Sequence, residues 1–369
     1  MNGGKIAFIA DSQLGKRLYG LNDTYNDWLR AFEACGKHII AEANVQAVIL
    51  LGDTFDAEAM YPKEIKTAQL TVSKIKDAGI KVYGILGNHD KGQNDVSEIV
   101  SWLDVCGITT LTAKTPILVG DTCIIGISHQ NKQLLAETLA TLKAPKGQTQ
   151  ILLCLHQALK ELSLPGQGWE VETEQIPSWI SKVFLGDFHN RCAFKDKNGR
   201  EFIYPGAIET VSFNQETTPG FIYYDLDTQN TTHISTKQRD YIKIEVDKLP
   251  SNWEAEVTRI VEKSIATYER KPAIQLIYKS GPREDIRVFC EALAMKVVTV
   301  TFETPSTSEE VTSTAPTTRE EVKKLASEYL PKTDLGDLGR LLLEKPELET
   351  LRGWQKSKYP TATIDQSKA

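Results

Sequence analysis

Long apolar runs are missing from this chain of 369 residues. No stretch approaches the roughly 18–20 consecutive apolar residues that a membrane helix needs. A signal peptide is not expected either, because MNGGKIAFIADS carries one Lys and only a five-residue apolar run, which reads as a first strand. The six cysteines, Cys35, Cys106, Cys123, Cys154, Cys192 and Cys290, include no C-x-x-C pair. That spacing argues against a structural zinc site or a disulfide framework and favours a reducing cytoplasm. An excess of basic charge is absent as well: the net charge is −6. Bulk attraction to nucleic acid is therefore not expected, although a local basic channel stays compatible with that balance. There is no internal repeat. What the chain has is an ordinary globular composition, 41% hydrophobic and 25% charged, and enough length for one large core with one or two smaller units.

Residues 1–238 alternate short apolar runs with helical patterns, the signature of an α/β fold. KIAFIA (5–10), AVILL (47–51), KVYGIL (81–86), ILLCL (151–155) and KVFL (182–185) read as buried strands. Helices are expected from about Thr24 to Ala43 and from Glu64 to Ala78, the second stopped by Gly79. CAFKDKNGREFIY reads as a hairpin turning at Lys-Asn-Gly-Arg, and GFIYYDLDTQNTTHIS as a further strand pair. Residues 239–303 repeat strand, helix, strand, helix, strand (YIKIEV, 251–269, AIQLIYKS, 282–294, VVTVTFE), a small α/β unit. The Ser/Thr/Glu/Pro-rich segment 304–316 reads as a flexible linker. A capping box at Thr318 and Glu321 opens helices over 317–354, and 355–369 reads as a disordered tail.

Each of the five strands named first runs into a polar cluster: Asp11-Ser12-Gln13, Gly52-Asp53-Thr54-Phe55-Asp56, Gly87-Asn88-His89-Asp90, His156-Gln157 and Gly186-Asp187-Phe188-His189. Taken singly, each is an ordinary cap or turn. Five in the same position relative to five strands point instead to one cleft outside the carboxyl ends of the strands. Carboxylates, an Asn and histidines there suit two divalent cations with mixed oxygen and nitrogen ligation. Such a pair, about 3.5–4 Å apart, polarises a phosphoryl oxygen and makes a nucleophile of water at neutral pH.

The order D-x-Q, GDxxD, GNHD, a lone His and GDFH resembles the calcineurin-like metallophosphoesterases, with D-x-H, GDxxD, GNH[DE], H and GHxH. DSQLGKRLY and YPGAIETVSFNQETTPGFIYYDL resemble more narrowly the SbcD-type double-strand-break repair nucleases, over about residues 5–345. The resemblance implies a β-sandwich flanked by helices (four-layer α-β-β-α), a small DNA-capping α/β domain and a C-terminal helix pair. It implies a metal-dependent DNA exonuclease and endonuclease, the nuclease subunit of an SbcCD-like repair or recombination complex. The implied partners are DNA ends, a second copy of the chain, and an SMC-like ABC ATPase (SbcC-like), with no membrane. The cytoplasm, at the nucleoid in a cell, is the implied location. One ion would be held by Asp11, Gln13, Asp53 and His189 and the other by Asp53, Asn88, His156 and Asp187. His89 would sit beside the scissile phosphate with Asp90 orienting it, and Asp56 would support the Gly-Asp loop.

Gln13 and Asp187 depart from the family's histidines. Both can ligate through oxygen, so harder ions, manganese first and then magnesium, are expected over zinc. Ligand positions that lose His can also mark a relic site, so a non-catalytic DNA-end or ATPase-binding scaffold stands as an alternative. A small-molecule or protein phosphatase stands behind it. Lys16, Arg17, Lys195, Lys197 and Arg200 are candidates for DNA backbone contacts, with solvated surface charge the plainer reading. Val322, Leu325, Tyr329, Leu335, Leu338, Leu341 and Leu342 are the apolar positions expected to meet the ATPase. Trp28 and Phe32 are candidates for a dimer interface or for the core, His129 for a structural role, and His38 and His233 for none.

Overall fold

The computed structural model describes residues 4–20, 22–56, 61–90, 102–163, 168–236, 238–248, 273–280 and 299–302, with a few single positions between 252 and 263. Strands β1 (Lys5–Ile9), β2 (Val45–Leu51), β3 (Lys81–Ile85) and β4 (Thr109–Thr110) are followed by β5 (Ile117–Val119), β6 (Thr122–Ile127), β7 (Gln150–His156) and β8 (Lys182–Gly186). Then come β9 (Cys192–Lys195), β10 (Glu201–Tyr204), β11 (Gly220–Asp225), β12 (Thr231–Ser235), β13 (Tyr241–Lys248), β14 (Ala273–Ser280) and β15 (Thr299–Phe302). The helices are α1 (Asn22–Ala41), α2 (Pro62–Asp77), the single turn α3 (Trp102–Val105) and α4 (Lys132–Thr141).

Two six-stranded mixed sheets result, in the orders β12-β11-β1-β2-β3-β4 and β5-β6-β7-β8-β10-β9. The apolar runs are continuous because both faces of each central strand are covered. In β1, Ile6 and Phe8 point between the sheets while Ala7 and Ile9 point to the helices. β7 mirrors this: Leu152 and Cys154 face the other sheet, and Ile151, Leu153 and Leu155 face Leu135 and Leu139 of α4. Phe8 stacks flat on Phe184 across the gap, ring centroids 3.8 Å apart. The period-2 split over three cores is what makes a four-layer sandwich.

α1 and α2 cover the outer face of the first sheet. Trp28 and Phe32 belong to that core, 0% and 2% exposed, so they are not an interface for a second copy. α2 starts at Pro62, two residues before the expected Glu64, because Pro suits the first turn and the Glu64 carboxylate accepts the Tyr61 N–H at 2.5 Å. β6 and α4 complete the second half of the sandwich; TCIIGI is one more doubly covered strand, buried throughout. The third sheet, β13-β14-β15, is parallel, so its connections must cross over. The helices expected near 251–269 and 282–294 lie largely outside the described residues. So do the linker, the helix pair with Val322, Leu325, Tyr329, Leu335, Leu338, Leu341 and Leu342, and the tail. Among the described residues no helix is long and apolar enough to cross a membrane.

Candidate metal centre

β1, β2 and β3 of one sheet and β7 and β8 of the other end on the same side of the sandwich, and their loops are laced together. The Gln13 N–H donates to the Asp53 carbonyl at 2.8 Å, Leu14 to Thr54 at 2.9 Å, and Asp56 returns to Leu14 at 3.0 Å. The packing leaves no room for side chains at two glycines. A Cβ on Gly87 would lie 1.9 Å from Asp53 Oδ1, and one on Gly186 would lie 2.2 Å from the Leu51 carbonyl oxygen. Among the described residues seven non-glycine positions have positive φ, and four of them, Asp11, Gln13, Asp53 and Asp187, are expected ligands. Strain of that kind persists only where the surroundings over-determine it, and it gathers at functional sites.

One flank is built around His156, which is fully buried. Its Nδ1 lies 2.8 Å from the Leu51 carbonyl, which can only accept, so Nδ1 carries the proton. Nε2 therefore faces the cleft, 3.0 Å from Asn88 Oδ1, 3.4 Å from Asp53 Oδ1 and 3.9 Å from Asp187 Oδ1. A backbone carbonyl behind an imidazole is the usual way to fix a metal-ligating tautomer. Ligand atoms of Asp11, Asp53 and His156, all buried, lie within 4.8 Å of one another, a group able to hold a metal ion. The charges show the same crowding. Burial pushes the Asp11 carboxyl up to about 7, with the His156 charge opposing. Burial also acts on Asp53, but the hydrogen bond and charge of His156 bring its carboxyl below the usual range. Burial disfavours charge on His156, yet the Asp53 bond and the charges of Asp53, Asp11 and Asp187 push it up to about 10. Burial raises Asp187 as well. A divalent cation would favour the ionised form of each of these carboxyls.

His89 stands at the rim with its side chain 41% exposed. Its Nδ1 meets the Asp56 carbonyl oxygen at 3.0 Å and lies 3.8 Å from the Asp56 carboxylate, so Nε2 is turned into the cleft, 3.9 Å from Asp53 Oδ2. The expected role of Asp90 thereby falls to the Asp56 backbone carbonyl, while Asp56 also ties its loop to Leu14. Asp90 does not orient His89: it accepts from the backbone N–H groups of Gly87 (2.9 Å), Phe55 (2.9 Å) and Thr54 (3.2 Å), tying two loops together. Asp56 is the residue that holds His89. Sequence order puts Asp90 next to His89, but its carboxylate turns back onto the backbone N–H groups of both loops.

The other flank contains Gln13 and His189. Gln13 Nε2 lies 3.1 Å from His189 Nε2, and Gln13 Oε1 accepts from the Lys16 ammonium at 2.6 Å. Both oxygens of Asp11 accept from the Asp187 N–H, at 3.1 and 3.3 Å. Burial lowers the His189 imidazole to about 4, with the Lys16 charge adding to the effect. Lys16, expected as a DNA contact, thus sits among the ligands; its Nζ lies over the Trp28 ring and also reaches Asp56 at 3.5 Å. Arg17 is exposed beside the Tyr25 ring. His129 packs edge-on against His156, ring centroids 6.3 Å apart.

Three expected DNA contacts are not in the cleft. Lys195 pairs with Glu201, and Glu201 with Lys182 at the start of β8, so the β9–β10 turn lies at the opposite end of the sheet from Gly186. Arg200 is also spent: its guanidinium donates to the carbonyls of Thr173, Ile176 and Pro177 and to the Asp196 carboxylate. Lys197 pairs with Glu174 at 2.5 Å.

Comparisons with known proteins point to a family. The family model described as calcineurin-like phosphoesterase matches residues 4–191. The DNA double-strand break repair protein Mre11 of Sulfurisphaera tokodaii is 29% identical over 300 residues, 76% of this chain and 75% of that one. The protein of the same name from Saccharolobus solfataricus is 25% identical over 352 residues, 89% of this chain and 90% of that one. The one from Methanosarcina mazei, 28% identical over 220 residues, is longer: the match spans 58% of this chain and 34% of its own length.

Proposed function

Because the chain belongs to the calcineurin-like phosphoesterase family, we propose that it is a metal-dependent DNA nuclease acting at double-strand ends, the nuclease subunit of an SbcCD-like complex. The observation that carries the reading is the Saccharolobus match. It runs well past the phosphoesterase region, through nine-tenths of a protein named for double-strand break repair. A phosphatase for small molecules has no need of that additional length.

When bound, a divalent ion polarises the phosphoryl group and makes water nucleophilic at neutral pH. Asp11, Asp53, His156, Asn88 and Asp187 would hold it, and their oxygen-rich set favours manganese, then magnesium. His89, held from behind by Asp56, offers Nε2 to the phosphate, stabilising developing charge and passing a proton to the leaving oxygen. Arg17, exposed near the mouth, suits a backbone phosphate contact. The wider assembly follows the same reading: a second copy of the chain, and an SMC-like ATPase on the helices expected over 317–354.

The test is cleavage of linear and hairpin DNA in manganese and in magnesium by wild type, His89→Ala and Asp56→Ala. Cleavage in manganese is expected, falling about 100-fold in His89→Ala. Asp56→Ala should lose less than about tenfold, with manganese affinity unchanged, because the backbone carbonyl that meets His89 Nδ1 remains. Equal rates in wild type and His89→Ala would sink the proposed mechanism. Hydrolysis of p-nitrophenyl phosphate without DNA cleavage would revive the phosphatase, and a folded chain that binds DNA ends but no manganese would be the scaffold.

A further inference from the structure

The two ligand sets expected from the motif order are not equally ready for an ion. On the His156 flank the donors converge, and the imidazole that carries charge there becomes a ligand by losing its Nε2 proton: Nε2 is turned inward by the Leu51 carbonyl, with oxygens of Asn88, Asp53 and Asp187 around it. On the Gln13 flank the corresponding atoms are committed to each other. The one Gln13 atom able to ligate, Oε1, accepts from the Lys16 ammonium at 2.6 Å. The Gln13 amide nitrogen then points at His189 Nε2, the atom that would bind metal there, at 3.1 Å. Turning the amide over does not release the pair, because it would set an NH2 group against the ammonium.

Lys16 is not a loose surface cation that drifted in. The Lys16 N–H closes a turn onto the Gln13 carbonyl at 3.0 Å, which folds the lysine back over the glutamine. Gly15 makes the turn possible at φ 104°, with the Glu64 carboxylate pressed against the position of a Cβ. The ammonium is further held by Asp56 at 3.5 Å and lies over the Trp28 ring, 5.7 Å from its centroid, leaving the side chain 18% exposed.

We infer that the centre takes one divalent ion, at Asp53 and His156, and that the Lys16 ammonium on Gln13 occupies the second cation position. The inference rests on the reading of the cleft as a metal-dependent phosphodiesterase, and it replaces the pair of ions that the motif order implies. An ion bound through Gln13 Oε1 would have a like charge hydrogen-bonded to its own ligand atom. The ammonium is instead a fixed positive charge facing the same cleft, of the kind that stabilises a phosphoryl group as charge develops on it. The substitution of Gln for His is then not decay. A neutral amide can accept from the lysine and donate to His189 at once.

The test is the manganese content of the full chain, freed of metal and then titrated, with bound ion measured by equilibrium dialysis and its environment read by electron paramagnetic resonance. Wild type is expected to bind one ion per chain with the hyperfine pattern of an isolated manganese(II). The double variant Gln13→His, Lys16→Met keeps an unbranched side chain at residue 16 but removes the ammonium. It is expected to bind a second ion and show a spin-coupled pair. Two coupled ions in wild type would overturn the inference, as would a double variant that stays at one. One ion in wild type with no DNA cleavage would leave this inference standing and overturn the functional reading. Two coupled ions with DNA cleavage would do the reverse.

Discussion

The loop after β8 and the turn between β9 and β10 read alike in one dimension. Gly186-Asp187-Phe188-His189-Asn190 and Asp196-Lys197-Asn198-Gly199-Arg200 are both short, polar and glycine-bearing. In space they cap opposite ends of the same strands, roughly 13 Å apart along β8 by strand rise. Their partners differ in kind. Asp187 and His189 reach Asp11, Gln13 and His156, which arrive on two other strands. Asp196 turns inward instead, accepting from Asn198 N–H, Arg200 N–H and the Arg200 guanidinium within its own turn. A turn that satisfies itself has nothing left for a ligand. One whose charges converge with those of other strands is incomplete until something binds.

The sharpest way to break this comparison is to remove the residue on which the converging loops depend. Asp53 lies within ligand distance of His156 and accepts the His89 N–H at 2.9 Å. Asp53→Ala should lower manganese affinity at least about 100-fold, beyond what supporting residues usually cost. DNA cleavage should fall with it, while the circular dichroism spectrum stays that of a folded chain. Manganese affinity within about threefold of wild type, on the order of the usual context scatter, would mean the carboxylate is only part of a turn.

At the other end the expectation inverts. Arg200→Met removes the donor shared by three carbonyls and the Asp196 carboxylate, in a side chain only 7% exposed. The loss should be about 2–3 kcal/mol, seen as a lower urea midpoint. Manganese affinity and the cleavage rate of the folded fraction should not move. A change in DNA affinity out of proportion to the folded fraction would return Arg200 to the cleft.

The same contrast shows what one dimension carries. The five strand-end clusters were legible because doubly covered strands are apolar throughout, so the polar residues that follow them stand out. That signal located the cleft and its acids. It could not say that β10 runs parallel to β8 while β9 returns, and this register alone sends Lys195, Lys197 and Arg200 to the far end. Nor could it separate Asp56 from Asp90, since the choice between holding His89 and stapling loops is made by backbone groups on other strands. The Leu51 carbonyl that fixes His156 carries no residue-type signal at all. Lys16 was visible as a charge three residues after Gln13, but its place was set by a turn whose tightness depends on Gly15 and Glu64.

The smallest expected effect is at Lys197, and it sharpens the comparison by being small. The ammonium bonds Glu174 at 2.5 Å, yet the two side chains are 68% and 63% exposed, so the pair competes with water and salt. Lys197→Ala should leave the urea midpoint where it is. If the turn lies away from the DNA path, the variant should also keep the salt dependence of DNA binding, because no counterion release passes through this residue. A residue that does contact a phosphate changes the slope of log K against log salt by about 0.9. Measuring DNA binding across a salt series therefore decides the matter independently of absolute affinity. An unchanged slope keeps the two turns functionally apart, and a slope shallower by about 0.9 would put the far end of the sheet on the DNA after all.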